Sequence, residues 1–388
     1  NLFVTGRLIS ASHAAFGSTR VMMTCAHNAQ AVGMASALCR EQQLNPSDLN
    51  EPARMQQLQR RLRRSGQFIP HLSLPEDGED LARSAEWSTS SESELSGFAP
   101  SGASASLDCA RALLLPVKAG LMPALTFQLT SQSAQTLEVQ LRVASEAGNF
   151  TPDQTLETVQ VAVSAGEHQA TQVTFATTLA NGGFVFVCLM ACPGVQLALS
   201  DAYHTGVMPL VHSANKKVAT SAVQTPPEGS GFHSFEFWLP ERRPLGKLPA
   251  LSIEPSVSAF GVEQLQSDYE RPFIQSNAWV ASSEDPAPYL DLKWTEAKLI
   301  TKVVIYFDVD YDHAMESVQW HHPEDAMPFC VKHFRLLNAQ GDVVAELSDN
   351  HLGRVELKLD AGVKTHALRL ECKETHGAPA SVFSLQVF

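Results

Sequence analysis

The feature that most constrains this fold is a change of hydrophobic period near residue 98. Beyond it, apolar and polar residues alternate two by two, as in Leu137, Val139, Leu141 and Val143 against Glu138, Gln140 and Arg142. Further short runs follow at Val159–Val163, Gln172–Phe175, Phe184–Val187 and Val195–Leu199. A period of two puts alternate side chains on opposite faces of a strand, and strands of this length between turn residues predict a β-sandwich. A Pro-rich passage, from Pro226-Pro227 through Pro240, Pro244 and Pro249, predicts the join to a second all-β unit. Its strands are read at Tyr289–Trp294, Ile300–Phe307, Val331–Leu336, Val355–Leu359, Ala367–Leu370 and Phe383–Val387.

Upstream of this change the chain reads differently. Leu2-Phe3-Val4 predicts a short buried strand, followed by a Gly6-Arg7 turn. A helix is predicted from about Val21 to Arg40. It is rich in small residues (Ala26, Ala29, Ala31, Gly33, Ala35, Ser36 and Ala37) that let a helix backbone approach a sheet or a cofactor closely. A second helix starts at Asn50-Glu51-Pro52, with Asn50 as N-cap and Met55, Leu58 and Leu62 as its apolar stripe, and stops near Ser65-Gly66. Arg54, Arg60, Arg61, Arg63 and Arg64 crowd that helix. They suit either a phosphate site or a solvated face favoured at a helix C-terminus, and the solvated face is preferred. Residues 73–97, rich in Ser, Glu and Asp, predict an exposed linker.

The fold class is therefore mixed. It comprises an N-terminal α/β segment over 1–75, a first β-sandwich over 76–247 and a second, jelly-roll-like β-sandwich over 248–388. The order Asn277–Ser283, Leu290–Trp294, Ile300–Phe307 resembles a discoidin-type, galactose-binding-like jelly roll.

Asn1–His13, Phe16–Cys25 and Gln30–Ala35 together resemble the C-terminal flavin-binding segment of FAD-dependent oxidoreductases, a family whose bacterial members often carry extra sandwich domains. The resemblance implies that strand, loop and helix close over the flavin of FAD, with contacts from Gly6, Arg7, Gly17, Arg20, Val21 and Met22. It implies hydride transfer to the flavin from a CH–OH centre, in a sugar for instance, or from a CH–NH centre. Elementary chemistry agrees in kind. Gly6 turns the chain without a Cβ, Arg7 supplies a positive charge, and the start of the long helix points N–H groups at an anionic ring edge. Where relatives often have Pro after Arg-Val-Met, this chain has Met23.

His13 lies in the loop expected over the flavin. It reads equally as a base for a substrate hydroxyl and as a loop histidine bonded to backbone. His27 reads as structural, and Cys25 as a packed thiol. No Gly-x-Gly-x-x-Gly occurs in the 388 residues, so the adenosine end of FAD lacks its usual cradle. This predicts that a separate N-terminal polypeptide carrying a Rossmann portion completes the domain and that the chain is a fragment or split subunit. The other reading is a non-catalytic carbohydrate-binding or assembly module.

Asp308, Asp310 and Asp312 stand at alternate positions and suit a hard cation such as Ca²⁺. His313 and Gln319 break the EF-hand pattern, and His321-His322-Pro-Glu324-Asp325 follows. The same stretch also reads as a plain polar loop after a strand. Trp279, Trp294 and Trp320 read as core or as sugar-stacking platforms, with core preferred.

Composition narrows the partners. A net charge of −13 argues against nucleic acid and anionic membranes, and no apolar run reaches the roughly 18 residues a bilayer span needs. The expected partners are the Rossmann polypeptide and a small-molecule or glycan substrate. The seven cysteines are scattered. Cys188 and Cys192 would lie about 13 Å apart in a strand, too far for a disulfide, so free thiols and a reducing, cytoplasmic compartment are expected.

Overall fold

The computed structural model describes residues 2–74, 78–214, 219–225, 228, 235–241, 246–309 and 326–388. The chain divides into two compact units, residues 1–77 and 78–388.

The N-terminal unit is helical. Three α-helices carry it: α1 (His13–Thr19), α2 (Met22–Gln42) and α3 (Pro52–Arg64). Ala35, Leu38 and Cys39 of α2 pack against Leu49 and against Leu58 and Leu62 of α3, with Phe3 and Ile69 at the edge. The helix α2 ends where Gln43 takes a left-handed conformation (φ 55°), which frees the chain to reverse. The expected strand at Leu2-Phe3-Val4 is not formed. Residues 2–5 are extended coil, and Leu2 is 80% exposed. A strand needs a neighbour for its backbone N–H and C=O groups, and no described residue of this unit supplies one. The N-terminal part of the fold class is thus helical as it stands.

Helix α3 starts one residue later than expected, with Glu51 rather than Asn50 as N-cap and Pro52 in the first turn. Asn50 ends a 3₁₀ turn, Pro46–Asn50, whose own start is held by an Asn45–Asp48 capping box. The arginines do not all form a solvated face. Arg61 pairs with Glu41 at 2.6 Å and Arg54 with Glu51 at 2.9 Å, but Arg63 is fully buried. Its Nη1 donates to the Gln67 carbonyl at 3.3 Å, and its guanidinium lies 5.3 Å from the Phe68 ring centre.

The C-terminal unit is all β, as the alternating period requires. Its first sandwich stacks two antiparallel sheets. One runs Trp238–Pro240, Met208–His212, Arg111–Val117, Gly183–Leu189, Gln135–Val143, Gln154–Val163 in spatial order. The other runs Leu248–Pro249, Val195–Ser200, Ala124–Ser131, Leu251–Val257, Leu95–Phe98, with Ser104–Ser106 and Gly166–Val173 paired to its central strands. Leu125, Phe127 and Leu129 alternate inward on the second sheet and meet Leu113, Leu115, Leu137, Val139 and Leu141 of the first. The run Ala112–Leu115 is apolar without a break because both of its faces are covered. Leu113 and Leu115 point into the sandwich, while Ala112 and Leu114 join an outer cluster with Phe186, Cys188, Met208, Leu210 and Trp238.

The second sandwich is one seven-stranded sheet folded over by two long strands, Tyr289–Phe307 and Arg354–Thr375. Their ladder shifts register between Lys293 and Lys298 and again between Ile300 and Lys302, so two strands read from sequence are one bent strand. Trp279 (fully buried) and Trp294 sit in its core, which answers the choice left open for them. Trp320 lies outside the described residues.

Two segments cross the boundaries expected from composition. The strand Glu86–Thr89, in the stretch read as linker, pairs with Leu290–Lys293 of the second sandwich. The preceding Leu81–Ser84 turn is tied to the same body, with Trp294 Nε1 donating to Leu81 O at 2.9 Å and Val387 N to Asp80 at 2.9 Å. Conversely, Leu251–Val257 lies beyond the expected join at 247 yet pairs with Ala124–Phe127 inside the first sandwich. Proline marked a change of loop chemistry, whereas burial of Leu251, Ile253 and Val257 decides the sheet. The C-terminal strand Ser381–Val387 is buried at every position. Phe383 faces the core of the first sandwich, and Val382, Leu385 and Val387 face that of the second.

Candidate functional site

The residues singled out for a flavin lie in two groups within the N-terminal unit. Gly6 adopts φ 66° with open space where a Cβ would stand, and opens a 3₁₀ turn, Gly6–Leu8, that includes Arg7. Thr5 Oγ1 donates to Asn28 Oδ1 at 2.8 Å, which fastens this turn to α2. Arg20 closes the loop from the other side, its Nε donating to the Ile9 carbonyl at 3.1 Å and its Nη2 to the same oxygen. Arg20 therefore positions the Gly6–Ile9 loop against the start of α2. A guanidinium that grips one carbonyl with two N–H groups does this better than an ammonium.

Val21 is the N-cap of α2 and offers no capping side chain, so the first N–H groups of a 21-residue helix carry no side-chain partner. Met22 and Met23, at the first turn, are 84% and 80% exposed. Leu8 is 84% exposed, and Phe16 and Val21 are also open. His13 is the first residue of α1, directly after its N-cap Ser12, whose Oγ accepts from Ala15 N at 3.3 Å. The His13 ring is exposed and lies 5.3 Å from that of Phe16. Gly17 sits in the exposed body of α1. His27 meets Gln67, whose Nε2 lies 3.0 Å from His27 Nδ1 and donates to the His27 carbonyl at 3.2 Å. Cys25 is buried.

These groups fit the ring end of a flavin. They offer an uncapped helix N-terminus, exposed apolar and sulfur-bearing side chains, a turn without a Cβ and a free-standing imidazole. They do not supply a cradle for the adenosine end, because no glycine-rich turn follows a strand among the described residues of this unit.

In the C-terminal unit, Asp308 is buried and accepts from Thr205 Oγ1 at 2.8 Å. Asp310 and Asp312, with His321–Asp325, lie outside the described residues. Among the described residues no three His, Cys, Asp or Glu side chains stand close enough to hold a metal.

Sequence reasoning missed a buried polar chain beside Asp308. His204 Nδ1 lies 2.9 Å from the Thr205 carbonyl, which can only accept, so this nitrogen carries the proton. His204 Nε2 then accepts from Ser93 Oγ at 2.9 Å. The ring packs 4.4 Å from that of Phe260, and burial lowers the His204 pKa to about 4. Such an imidazole is a weak base at neutral pH, enclosed in protein. It is a structural clamp, and only long-range pairing brings its members, 111 residues apart in sequence, together.

A second network was also not legible. Glu236 accepts from Arg142 Nη1 at 3.0 Å and from Trp238 Nε1 at 2.8 Å, and the Arg142 guanidinium lies 5.6 Å from the Trp238 ring centre.

Residues 1–62 match the sequence model of the family described as FAD dependent oxidoreductase. No curated protein matches the chain. Solved structures similar to part of it include the family 32 carbohydrate-binding module of Streptococcus pneumoniae EndoD, at 16% identity and TM-score 0.26, covering 34% of this chain and 86% of that one. Chitosan-binding module 1 of a Paenibacillus sp. IK-5 chitosanase/glucanase is similar at 8% identity and TM-score 0.25, with 34% and 86% covered. A fucose binding module of Streptococcus pneumoniae follows at 15% identity and TM-score 0.21, with 29% and 71% covered. No described helix is long and apolar enough to cross a membrane. The chain joins a segment similar to the FAD dependent oxidoreductase family, over residues 1–62, to antiparallel β-sandwich domains.

Proposed function

We propose that the chain forms the flavin-closing part and the accessory sandwiches of an FAD-dependent oxidoreductase acting on a CH–OH or CH–NH centre of a small molecule or glycan. The match of residues 1–62 carries this reading. Bound FAD would supply two-electron oxidation of the substrate. The N–H groups at the start of α2, near Val21 and Met22, would face the anionic edge of the ring, and Gly6 would let the backbone approach it. Arg20 holds the Gly6–Ile9 loop in place, and Arg7 offers a charge to a phosphate. His13 would take the substrate hydroxyl proton on its imidazole.

A second polypeptide segment, bearing the glycine-rich turn for the adenosine end, completes the site. The exposed set Leu2, Val4, Leu8, Phe16, Val21, Met22 and Met23 supports this, because globular surfaces seldom leave so many large apolar side chains open on one short segment. Seven free thiols, six of them buried, support a reducing compartment.

The test is made on the assembled, flavin-loaded enzyme. His13→Gln should lower kcat by roughly a hundredfold or more while flavin content stays unchanged. An unchanged kcat in that variant would remove His13 from the reaction.

A further inference from the structure

Residues 180–182 link two anchored stretches of the first sandwich. Thr178–Leu179 pairs with Gly120–Leu121 before the link, and Gly183 opens the strand that pairs with Val117 after it. Phe184 N also donates to the Ile274 carbonyl at 3.1 Å. Between these anchors Asn181 is exposed. Neither its side chain nor the backbone N–H of Gly182 has a hydrogen-bond partner among the described residues.

Packing requires the glycine. A Cβ at Gly182 would come within 3.0 Å of the Val117 carbonyl and 3.4 Å of Lys118 Cα, so a larger residue would push the two turns apart. The same missing side chain leaves the Gly182 nitrogen unshielded next to the Asn181 carboxamide. Neither residue takes a positive φ, so the pair is not the tight type I′ hairpin turn that holds Asn-Gly rigid. Asn181 is also the one asparagine of the chain that precedes glycine. Others are tied down: Asn28 accepts from Thr5 Oγ1, Asn149 from Thr151 N, Asn277 from Phe273 N and Asn338 from Gln340 N.

From this arrangement we infer that Asn181 is a site of spontaneous deamidation, a modification of the folded chain that needs only water. The Gly182 nitrogen attacks Asn181 Cγ. The N–Cγ bond forms, the Cγ–Nδ2 bond breaks, and Nδ2 leaves as ammonia with the proton that Gly182 gives up. Water then opens the resulting five-membered imide at either carbonyl. One opening yields aspartate, and the other yields isoaspartate, whose main chain runs through Cγ. No oxidant or reductant takes part. Holding nucleophile and carboxamide in adjacent residues makes the first step intramolecular, which is its main advantage. Either product adds one negative charge to a chain of net charge −13. The isoaspartate form also lengthens the link by a methylene where Gly182 packs on Val117, which should loosen the short bridge at Thr178–Leu179. The site does not depend on the flavin reading, since it lies in the unit of residues 78–388.

The test incubates the full chain in mildly alkaline buffer for days, beside a guanidinium-unfolded sample, and follows both by peptide-mapping mass spectrometry. The peptide containing Asn181 should gain about 1 Da and separate into aspartate and isoaspartate forms. The folded chain should convert within roughly tenfold of the unfolded rate, as expected of an exposed link whose local opening costs little. Asn181→Gln would need a larger ring to cyclise and should abolish both the mass gain and the shift of the whole chain on anion exchange. Its melting temperature should match that of the unaltered chain, because the Asn181 side chain is exposed and bonds to no described residue. Two results would overturn the inference: Asn181 intact in the folded chain after the unfolded chain has converted, or an acidic shift that persists unchanged in Asn181→Gln.

Discussion

Lowering the pH across the histidine range should weaken the C-terminal unit, above all through His204. In the folded protein the residue is 7% exposed, its ring donates to the Thr205 carbonyl and accepts from Ser93, and burial holds its pKa down at about 4 against an ordinary value of 6.5. Below pH 6.5 the unfolded chain takes up a proton at this site that the folded chain refuses until the pH reaches about 4. The stabilisation is therefore complete above pH 6.5 and is lost as the pH falls through that window. At roughly 1.36 kcal/mol per pH unit, the gap amounts to about 3 kcal/mol. Urea unfolding followed by tryptophan fluorescence reads this directly, because Trp87, Trp238, Trp279 and Trp294 all lie in the C-terminal unit. His204→Gln keeps a donor and an acceptor but cannot charge. The difference in stability between wild type and this variant should shrink by about 3 kcal/mol from pH 7 to pH 4, order of magnitude. A constant difference across that range would refute the assignment of a buried neutral imidazole.

Other outcomes follow from the same structure. Glu236→Gln leaves the Arg142 guanidinium, 8% exposed as a residue, without its counter-charge and should cost about 2 kcal/mol. That is below the roughly 3–5 kcal/mol of fully buried pairs because the Glu236 carboxylate keeps some solvent; denaturant midpoints would show it. Cys188, Cys330 and Cys372 have pKa values pushed up to about 12 by burial, so a thiol reagent at mildly alkaline pH should modify the half-buried Cys109 first. Peptide mapping after brief labelling would contradict this if Cys330 reacted as fast. If the proposed flavin site is completed by a separate polypeptide, Met22→Glu, at an 84% exposed position, should leave the melting temperature of the isolated chain unchanged yet reduce co-purification of that polypeptide by roughly tenfold.

The parts of the fold that were legible in sequence are those decided locally. The alternation in Leu137–Val143 fixes a strand wherever it lies, and the small-residue stretch after Val21 became a helix within two residues of the expected bounds. What escaped was set by partners distant in the chain. The polar stretch 73–97 read as linker, but Trp87 and Ala82 find their burial against a sandwich 200 residues later. Leu2–Val4 has the composition of a strand and no strand neighbour among the described residues of its unit. The site shows the same division. Gly6, Arg20 and the start of α2 could be named as candidates because they lie close in sequence and resemble a known segment. The His204 clamp could not, since it exists only where separate loops meet.

Residues 1–62 are proposed to close a flavin site completed by another polypeptide segment. The most direct measurement is the visible absorption spectrum of the protein purified without denaturation from its own cells, with intact mass on the same sample. The expected result is visible flavin absorbance together with glycine-rich dinucleotide-binding sequence, either on a second chain or covalently continuous with this one. A colourless single polypeptide of these 388 residues would contradict it.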